Sequence, residues 1–220
     1  MLYLLSLIAL AAIMAPGLTR LLGARTGWLL MLAPLAAFVW FVQQIPLIAG
    51  GGAVMQSLSW IPALGINLSL RLDGLSLVFA LLISGIGSLI VLYAGSYLSS
   101  HAHLGRFHAY LLVFMLAMLG LVLADDLVAM FVFWELTSIA SFLLISFQHD
   151  KAVSRRAALQ ALLITGGGGL ALLAGLILLG GATGNWQFSS LSAEQIEGHV
   201  LLPAIMGLVL LGCFTKSAQV

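Results

Sequence analysis

Long apolar segments are the feature that most constrains how this chain of 220 residues folds. Hydrophobic residues make up 62% of the sequence and charged residues only 7%, and the mean hydropathy is +1.18. A soluble domain does not need so much apolar surface, whereas a helix that crosses the hydrocarbon core of a bilayer needs about 20 apolar residues. The composition therefore predicts an all-α transmembrane helical bundle.

Hydropathy divides the chain into about seven such spans. They are residues 2–22, 28–48, 75–98, 107–124, 127–147, 157–180 and 200–220. Nothing basic precedes the first segment, and Arg20 and Arg25 follow its apolar part, which is the reverse of the order in a signal peptide. We therefore expect the first segment to be a retained span.

The few charged residues alternate in sign between successive loops. Basic residues mark the odd-numbered loops: Arg20, Arg25, Arg106, Lys151, Arg155 and Arg156. Acidic residues mark the fourth and sixth loops: Asp125, Asp126, Glu194 and Glu197. Under the positive-inside rule, this pattern predicts a multi-pass protein with its amino terminus outside. We expect the membrane to be the plasma (inner) membrane. The net charge of +1 gives no reason to expect a nucleic-acid partner.

Two connecting segments are predicted to be ordered. Apolar and polar residues alternate from Ile66 to Asp73, which is typical of a half-buried strand and predicts a short β-hairpin on the outer face. The polar segment 184–198 is predicted to contain a short interfacial helix that starts after Ser190 or Ser192.

Sequence patterns for bound groups are weak, and we expect neither a cofactor nor a metal. The glycine run 166–169 lacks the preceding strand and the Gly-Lys-Ser or Gly-Lys-Thr ending of a phosphate loop, so close helix packing is the favoured interpretation and local unwinding the alternative. Cys213 is the only cysteine, and His101 and His103 lack further ligands at a suitable spacing. Asp73, Asp125, Asp126 and Ser138 carry oxygen atoms that could contribute to a cation site, but they do not form a recognisable cage.

Two ionisable residues lie inside apolar segments. Glu135 has no other charged residue within eight positions on either side, and Lys216 lies beside Thr215 and Ser217 near the end of the sequence. Placing a charge near the bilayer centre costs about 3 kcal/mol on insertion scales. A chain with two such groups is predicted to use them for charge transfer across the membrane.

A carboxylate beside a mobile cation can act as a proton carrier. Burial disfavours its charged form and a nearby cation favours it, so Glu135 can take up and release a proton as its partner moves. The alternative is that Glu135 only pairs with a cation to fasten two helices, although buried pairs contribute little net stability. Candidate accessory residues are Ser138, on the same helical face as Glu135, together with Thr137, Asp125, Asp126 and His108.

Several motifs resemble the antiporter-like subunits that Mrp-type cation/proton antiporters share with respiratory complex I. They are Arg-Leu-Asp-Gly-Leu-Ser at 71–76, Arg-Phe-His-Ala-Tyr at 106–110, the stretch 118–126, Phe-Trp-Glu-Leu-Thr-Ser at 133–138 and Thr-Lys-Ser-Ala-Gln at 215–219. Each motif alone is weak, but their order and spacing extend over nearly the whole chain. The motif at 133–138 is most similar to that of the A-type subunits of Mrp Na+/H+ antiporters.

The resemblance implies a fold of about fourteen helices with inverted repeats, in which residues 1–220 form the N-terminal portion and end within the seventh helix. It also implies that Glu135 and Lys216 form the first half of a proton path. Gln160 stands where the family often has a lysine, and a glutamine side chain does not titrate. The resemblance therefore does not extend to a proton relay through that position. The residues that complete the path would lie beyond Val220, so we expect the chain to be a fragment.

The resemblance further implies a function. The chain would be a subunit of a multisubunit monovalent cation (Na+)/proton antiporter, not an enzyme, with other membrane subunits, the lipid bilayer, protons and monovalent cations as its partners. One alternative is a proton-pumping membrane subunit of a complex I type NADH:quinone oxidoreductase, part of a translocase. Another alternative is a structural membrane subunit.

Overall fold

The computed structural model describes residues 1–61 and 66–217, and most of them are helical. The helices are α1 (Leu2–Leu22), α2 (Thr26–Leu30), α3 (Leu32–Ala49), α4 (Gly74–Tyr97), α5 (Leu104–Leu123), α6 (Leu127–Ile145), α7 (Ala152–Thr183) and α8 (Leu202–Lys216). Strands β1 (Val54–Ile61) and β2 (Ile66–Leu72) pair in a two-stranded sheet. The chain divides into two compact units, Met1–Gln56 with Arg71–Leu123 and Ser57–Leu70 with Ala124–Val220.

Five helical segments among the described residues are long and apolar enough to cross a membrane. They are Leu2–Ala49, Gly74–Tyr97, Leu104–Leu123, Leu127–Ile145 and Ala152–Thr183. The chain is therefore a multi-pass membrane protein. The predicted count of seven spans stays a prediction, because the 48 residues of Leu2–Ala49 form one apolar run and α8, with 15 residues, is shorter than the five candidate spans.

In the first unit, the run Leu2–Ala49 bends back on itself. Helix α1 ends where Gly23 adopts a φ of 56°, a left-handed conformation that favours glycine. The Met1 amino group donates to Gln56 Oε1 at 2.8 Å, and the ring of Tyr3 in α1 lies 6.1 Å from that of Trp40 in α3. The start of α1 therefore lies near the middle and the end of α3 rather than its start, and the two helices are antiparallel. Helix α5 then packs against α1 and α4.

In the second unit, α7 packs against both α6 and α8. Asp126 caps the start of α6, because its Oδ1 accepts hydrogen bonds from the backbone N–H groups of Val128 and Ala129, both at 2.9 Å. The buried core consists of Leu127, Leu172 and Leu176, packed among partly buried apolar and aromatic side chains. This core packs the first half of α6 against the second half of α7.

Helix α7 is longer than predicted, with 32 residues in place of the 24 from 157 to 180. At 1.5 Å per residue it is about 48 Å long, well beyond a hydrocarbon core of about 30 Å. Hydropathy detects only the apolar part of a helix, and Arg155 and Arg156 continue the helix outside that part. The glycine run 166–169 lies in the middle of α7 and not at its start, and it is helical throughout, so local unwinding is not observed.

Other boundaries differ in smaller ways. The predicted span 28–48 is divided into α2 and α3 at Met31, and the predicted span 107–124 begins earlier, at Leu104. The predicted interfacial helix is replaced by two short 3₁₀ turns, Phe188–Ser190 and Ala193–Gln195. Helix α8 ends at Lys216, and residues 218–220 of the last predicted span lie outside the described residues.

Strand β2 is confirmed, but its alternation is not regular. Ser69 is buried and Leu68 only half-buried. The Ser69 hydroxyl exchanges a hydrogen bond with Ser57 Oγ at 2.9 Å and accepts one from Gln187 Nε2 at 3.4 Å. Hydrogen bonding therefore allows a polar side chain to occupy a buried position in the strand.

Candidate functional site

Three helices of the second unit bring the predicted Glu135 and Lys216 into one site. Helix α6 carries Trp134, Glu135 and Ser138, α8 ends with Lys216, and α7 contributes Gly169. Lys216 Nζ contacts Trp134 and Ser138, which flank Glu135 in the same helix. Both Glu135 and Lys216 are partly buried.

Lys216 reaches across to α6 and binds two neutral acceptors. Its Nζ donates to Ser138 Oγ at 2.7 Å and to the Trp134 carbonyl oxygen at 3.3 Å. The same Nζ lies 5.3 Å from the centroid of the Trp134 ring, within the range of a cation–π interaction. Residues four apart lie on one face of a helix, so positions 134 and 138 together form a cradle for the ammonium group.

The Glu135 carboxylate faces a different neighbour. Gly169 of α7 lies directly against Glu135 Oε1, and a Cβ atom at position 169 would collide with it. Oε1 is buried and has no hydrogen-bond partner among the described residues. Within the described residues, Glu135 and Lys216 do not form an ion pair closer than 4.0 Å.

Small residues allow α7 and α8 to approach closely enough to form the site. Gly168 lies directly against the Thr215 side chain, one residue before Lys216. A Cβ at Gly212 would lie 2.6 Å from Leu172 Cβ and 2.9 Å from the Gly168 carbonyl oxygen. These contacts agree with the predicted role of the glycine run in close helix packing.

Thr137 is buried but does not contact Lys216. Its Oγ1 donates to the Trp134 carbonyl oxygen at 2.7 Å, the same carbonyl that accepts from Lys216. Thr137 therefore helps to fill the lone pairs of that carbonyl from within α6.

Asp125 and Asp126 lie nearly fully buried at the start of α6 and have local partners. Asp125 accepts hydrogen bonds from the backbone N–H and the hydroxyl of Ser189, at 2.9 and 2.6 Å. Its backbone N–H donates to the Ser69 carbonyl oxygen at 2.8 Å. Asp126 caps α6, and Glu135 lies nine residues further along the helix, about 13 Å away. The geometry brings neither aspartate to the Glu135 site.

His108 belongs to the first unit, where α5 holds it with no exposed surface. Its Nε2 lies 3.2 Å from the carbonyl oxygen of Val91 on α4, and its Nδ1 has no partner among the described residues. No cluster of three or more His, Cys, Asp or Glu side chains in the described part of the chain is arranged to hold a metal ion.

The sequence did not indicate three parts of the site. These are the Trp134 carbonyl as an acceptor, the contact of Gly169 with Glu135, and the contact of Ser138 with Lys216 rather than with Glu135. The four-residue spacing of Trp134 and Ser138 could have indicated the Trp134 carbonyl as an acceptor. The Gly169 and Ser138 contacts could not be found in this way, because they depend on how the helices pack against one another.

Two segments of the chain match models of known protein families. Residues 124–220 match the model described as "NADH:quinone oxidoreductase/Mrp antiporter, TM". Residues 60–108 match the one described as "NADH-Ubiquinone oxidoreductase (complex I), chain 5 N-terminus".

Individual relatives and one solved structure are also similar to this chain, and they are antiporter subunits and an Mrp complex. The A1 subunit of the Na(+)/H(+) antiporter of Staphylococcus haemolyticus is 47% identical over 196 residues, which are 88% of this chain and 24% of that protein. The A1 subunit from Staphylococcus aureus is 46% identical over 195 residues, again 88% and 24%. The structure of the Mrp complex from a Dietzia species has a TM-score of 0.88 and 32% identity, covering 97% of this chain and 23% of that chain.

A second solved structure shares the fold alone. It is the membrane-bound sulfane sulfur reductase, an archaeal respiratory membrane complex, with a TM-score of 0.76 at 23% identity over 96% of this chain and 33% of that chain.

The chain belongs to the family of antiporter-like membrane subunits that Mrp antiporters share with NADH:quinone oxidoreductases. Within this family it is a homologue of the A-type subunits of Mrp Na+/H+ antiporters. It spans about a quarter of the length of the curated relatives that it matches.

Proposed function

We propose that this chain is part of a subunit of a multisubunit monovalent cation (Na+)/proton antiporter, in which Glu135 and Lys216 provide part of the transmembrane proton path. Relatives that are named Na(+)/H(+) antiporter subunits support the antiporter. The site itself supports the proton path. Its partners would be further membrane subunits and the lipid bilayer.

One observation supports the proton path most directly. Glu135 Oε1 is buried without a hydrogen-bond partner among the described residues, while the Lys216 ammonium group binds Trp134 and Ser138 of the same helix. A purely structural carboxylate would be expected to bind the available ammonium group, because a buried charge without a partner is costly. A carboxylate that changes protonation state needs a partner that is near but not permanently bound.

The proposed mechanism is electrostatic. When Lys216 approaches Glu135, the ionised carboxylate is favoured and a proton is released; when Lys216 withdraws, the protonated form is favoured and a proton is taken up. Exchange for sodium would follow from coupling of this step to the rest of the assembly.

The membrane topology is part of the same proposal. We infer seven spans, because α1 is antiparallel to α3 within Leu2–Ala49 and because α8 is a further apolar helix. The charge pattern of the loops supports an amino terminus outside, and the proposed antiporter would lie in the plasma membrane. The sheet β1–β2 would lie on the outer face, within an inverted-repeat fold of about fourteen helices.

The test is cation-driven proton flux in everted vesicles that contain the full-length subunit with its partners. Glu135→Gln removes the titrating group but keeps the size and shape of the side chain. We expect flux to fall by about 100-fold or more, as is usual when a positioned proton-transfer group is removed. The matched control is Glu197→Gln, the same change on an exposed loop residue, which should leave flux unchanged.

The amount of assembled complex must be measured beside the flux. Normal flux with Glu135→Gln would remove Glu135 from the path. Loss of flux that is matched by loss of assembly would favour the structural alternative.

A complex I type subunit is the second candidate, because one family model is described as a complex I chain and the other names NADH:quinone oxidoreductase beside the Mrp antiporter. It would use the same residues but take its energy from redox partners. Co-purification of quinone oxidoreductase subunits, with flux that requires NADH rather than a cation gradient, would identify this function.

A further inference from the structure

The contacts of Lys216 define a feature of the site that goes beyond the proposed proton path. Nζ donates to Ser138 Oγ at 2.7 Å and to the Trp134 carbonyl oxygen at 3.3 Å, while Glu135, from the same helix turn, faces Gly169. The lysine is therefore held by neutral groups although a carboxylate is close by.

We propose that Ser138 is a positioning residue that holds the Lys216 ammonium group in a place separate from Glu135, so that the lysine has two alternative positions. This inference rests on the proposed function, because it assigns the resting position of the cation that would control Glu135. In one position Lys216 is bound to Ser138 and Trp134, and in the other it pairs with Glu135.

The two positions can compete because each has a different advantage. An ammonium–carboxylate bond is roughly twice as strong as a bond between neutral groups. The position at Ser138, in contrast, offers a hydroxyl oxygen, a carbonyl oxygen and the face of an indole ring together. Several weaker contacts can thus balance one strong contact.

Ser138 is suited to this role by its burial and its hydrogen bonding. Its side chain is 2% exposed, so water does not readily replace its oxygen as an acceptor. Its own hydroxyl proton points towards the Trp134 carbonyl oxygen at 3.5 Å, which leaves the oxygen lone pairs for Lys216. Thr137, the adjacent hydroxyl residue, donates to the same Trp134 carbonyl oxygen at 2.7 Å, whereas the hydroxyl oxygen that accepts from Lys216 is that of Ser138.

The experiment measures the position of Lys216 directly rather than the flux. A small amine-reactive reagent modifies only the unprotonated amine, and mass spectrometry of the Lys216 peptide gives its rate in the assembled complex at fixed pH. We expect Ser138→Ala to slow this modification by roughly tenfold, because the lysine moves to Glu135, which stabilises the ammonium form more strongly.

In the Glu135→Gln background, we expect Ser138→Ala to have the opposite effect on the rate of Lys216 modification. There the displaced lysine has no carboxylate to pair with, so adding Ser138→Ala should accelerate modification relative to Glu135→Gln alone. A residue that only stabilises the ammonium in one place would give acceleration in both backgrounds. Acceleration or no change with Ser138→Ala alone therefore overturns the proposal.

Two control variants complete the experiment. Ser138→Thr keeps the hydroxyl and should modify at the wild-type rate, and a slowed rate there would point to a packing effect and overturn the proposal. Ser84→Ala makes the same substitution at a fully buried serine of α4 that donates to its own helix, and it should have no effect.

Failure of this experiment and failure of the proposed function can be distinguished. If Ser138→Ala modifies faster while Glu135→Gln abolishes flux, the proton path stands and the two-position lysine is wrong. If Ser138→Ala slows modification while Glu135→Gln retains flux, the lysine has two positions but does not serve a proton path.

Discussion

At the scale of single residues, the contact between Gly169 and Glu135 gives the site a steric requirement. A side chain at position 169 would meet the Glu135 carboxylate, whereas at Gly167 nothing lies within 4 Å of an added Cβ. The two glycines lie in the same helix two residues apart, so they form a natural comparison.

We expect Gly169→Ala to displace the Glu135 carboxylate and to reduce proton flux at least tenfold, since misplacement of a reacting group by about 1 Å can cost 100-fold. Gly167→Ala should keep flux and increase helix stability slightly, because alanine favours a helix over glycine by about 1 kcal/mol. Flux per assembled complex in vesicles measures both. Equal flux in the two variants would contradict the assigned contact.

The site could be predicted from sequence only in part. Glu135 and Lys216 could be singled out from the sequence, because a charged residue in an apolar segment is recognisable without knowledge of how the helix packs. The preference of Lys216 for Ser138 over Glu135 could not be found, because it depends on the rotation of α6 and on the end of α8. Glu135 and Lys216 do not form an ion pair closer than 4.0 Å among the described residues, and the interpretation of Glu135 as a structural carboxylate stays an alternative that the assembly measurement with Glu135→Gln decides.

At the scale of secondary-structure elements, α4 begins with a capping box that has a pH dependence. Asp73 Oδ1 accepts from the backbone N–H of Ser76 at 3.1 Å, and the Asp73 N–H donates to Ser76 Oγ at 2.7 Å. The hydrogen bond from the Ser76 backbone N–H holds the pKa of Asp73 below its ordinary value of 3.8, and the nearby Arg71 acts in the same direction.

A carboxyl group with a lowered folded-state pKa stabilises the fold above its ordinary pKa, and this contribution is lost as the pH falls through the folded value. We therefore expect the amides at the start of α4 to lose hydrogen-exchange protection below about pH 3.8, relative to Asp73→Asn, which keeps a capping oxygen but does not titrate. The measurement compares both proteins at each pH. Identical pH dependence in the two would exclude a contribution from Asp73.

Element types were predictable from periodicity, whereas element ends were not. The strand at Ile66–Leu72 and the helices α1, α4 and α6 were predicted nearly in place, because their apolar patterns end at caps or turns. Helix α7 was predicted too short, because a helix continues as long as its backbone hydrogen bonds do, including residues too polar for the bilayer core.

At the scale of the whole molecule, the charged residues of the loops indicate the orientation in the membrane, which the helices alone do not define. An apolar helix can cross a bilayer in either direction, and the helices of the bundle pack in the same way in both orientations. The distribution of lysine and arginine among the loops is what distinguishes the two sides of the membrane. Lys151 lies in a basic loop and Glu197 in an acidic one, and both are exposed.

The proposed orientation places Lys151 in the cytoplasm and Glu197 outside. In a Cys213→Ala background, we expect a membrane-impermeant thiol reagent to label Glu197→Cys but not Lys151→Cys in intact cells, and the reverse in everted vesicles. Labelling of both positions from one side would mean that an even number of crossings separates them, which conflicts with a single pass by α7. Labelling of Lys151→Cys alone from outside would keep the crossing by α7 but invert the whole protein, and with it the direction in which a proton would enter the path at Glu135.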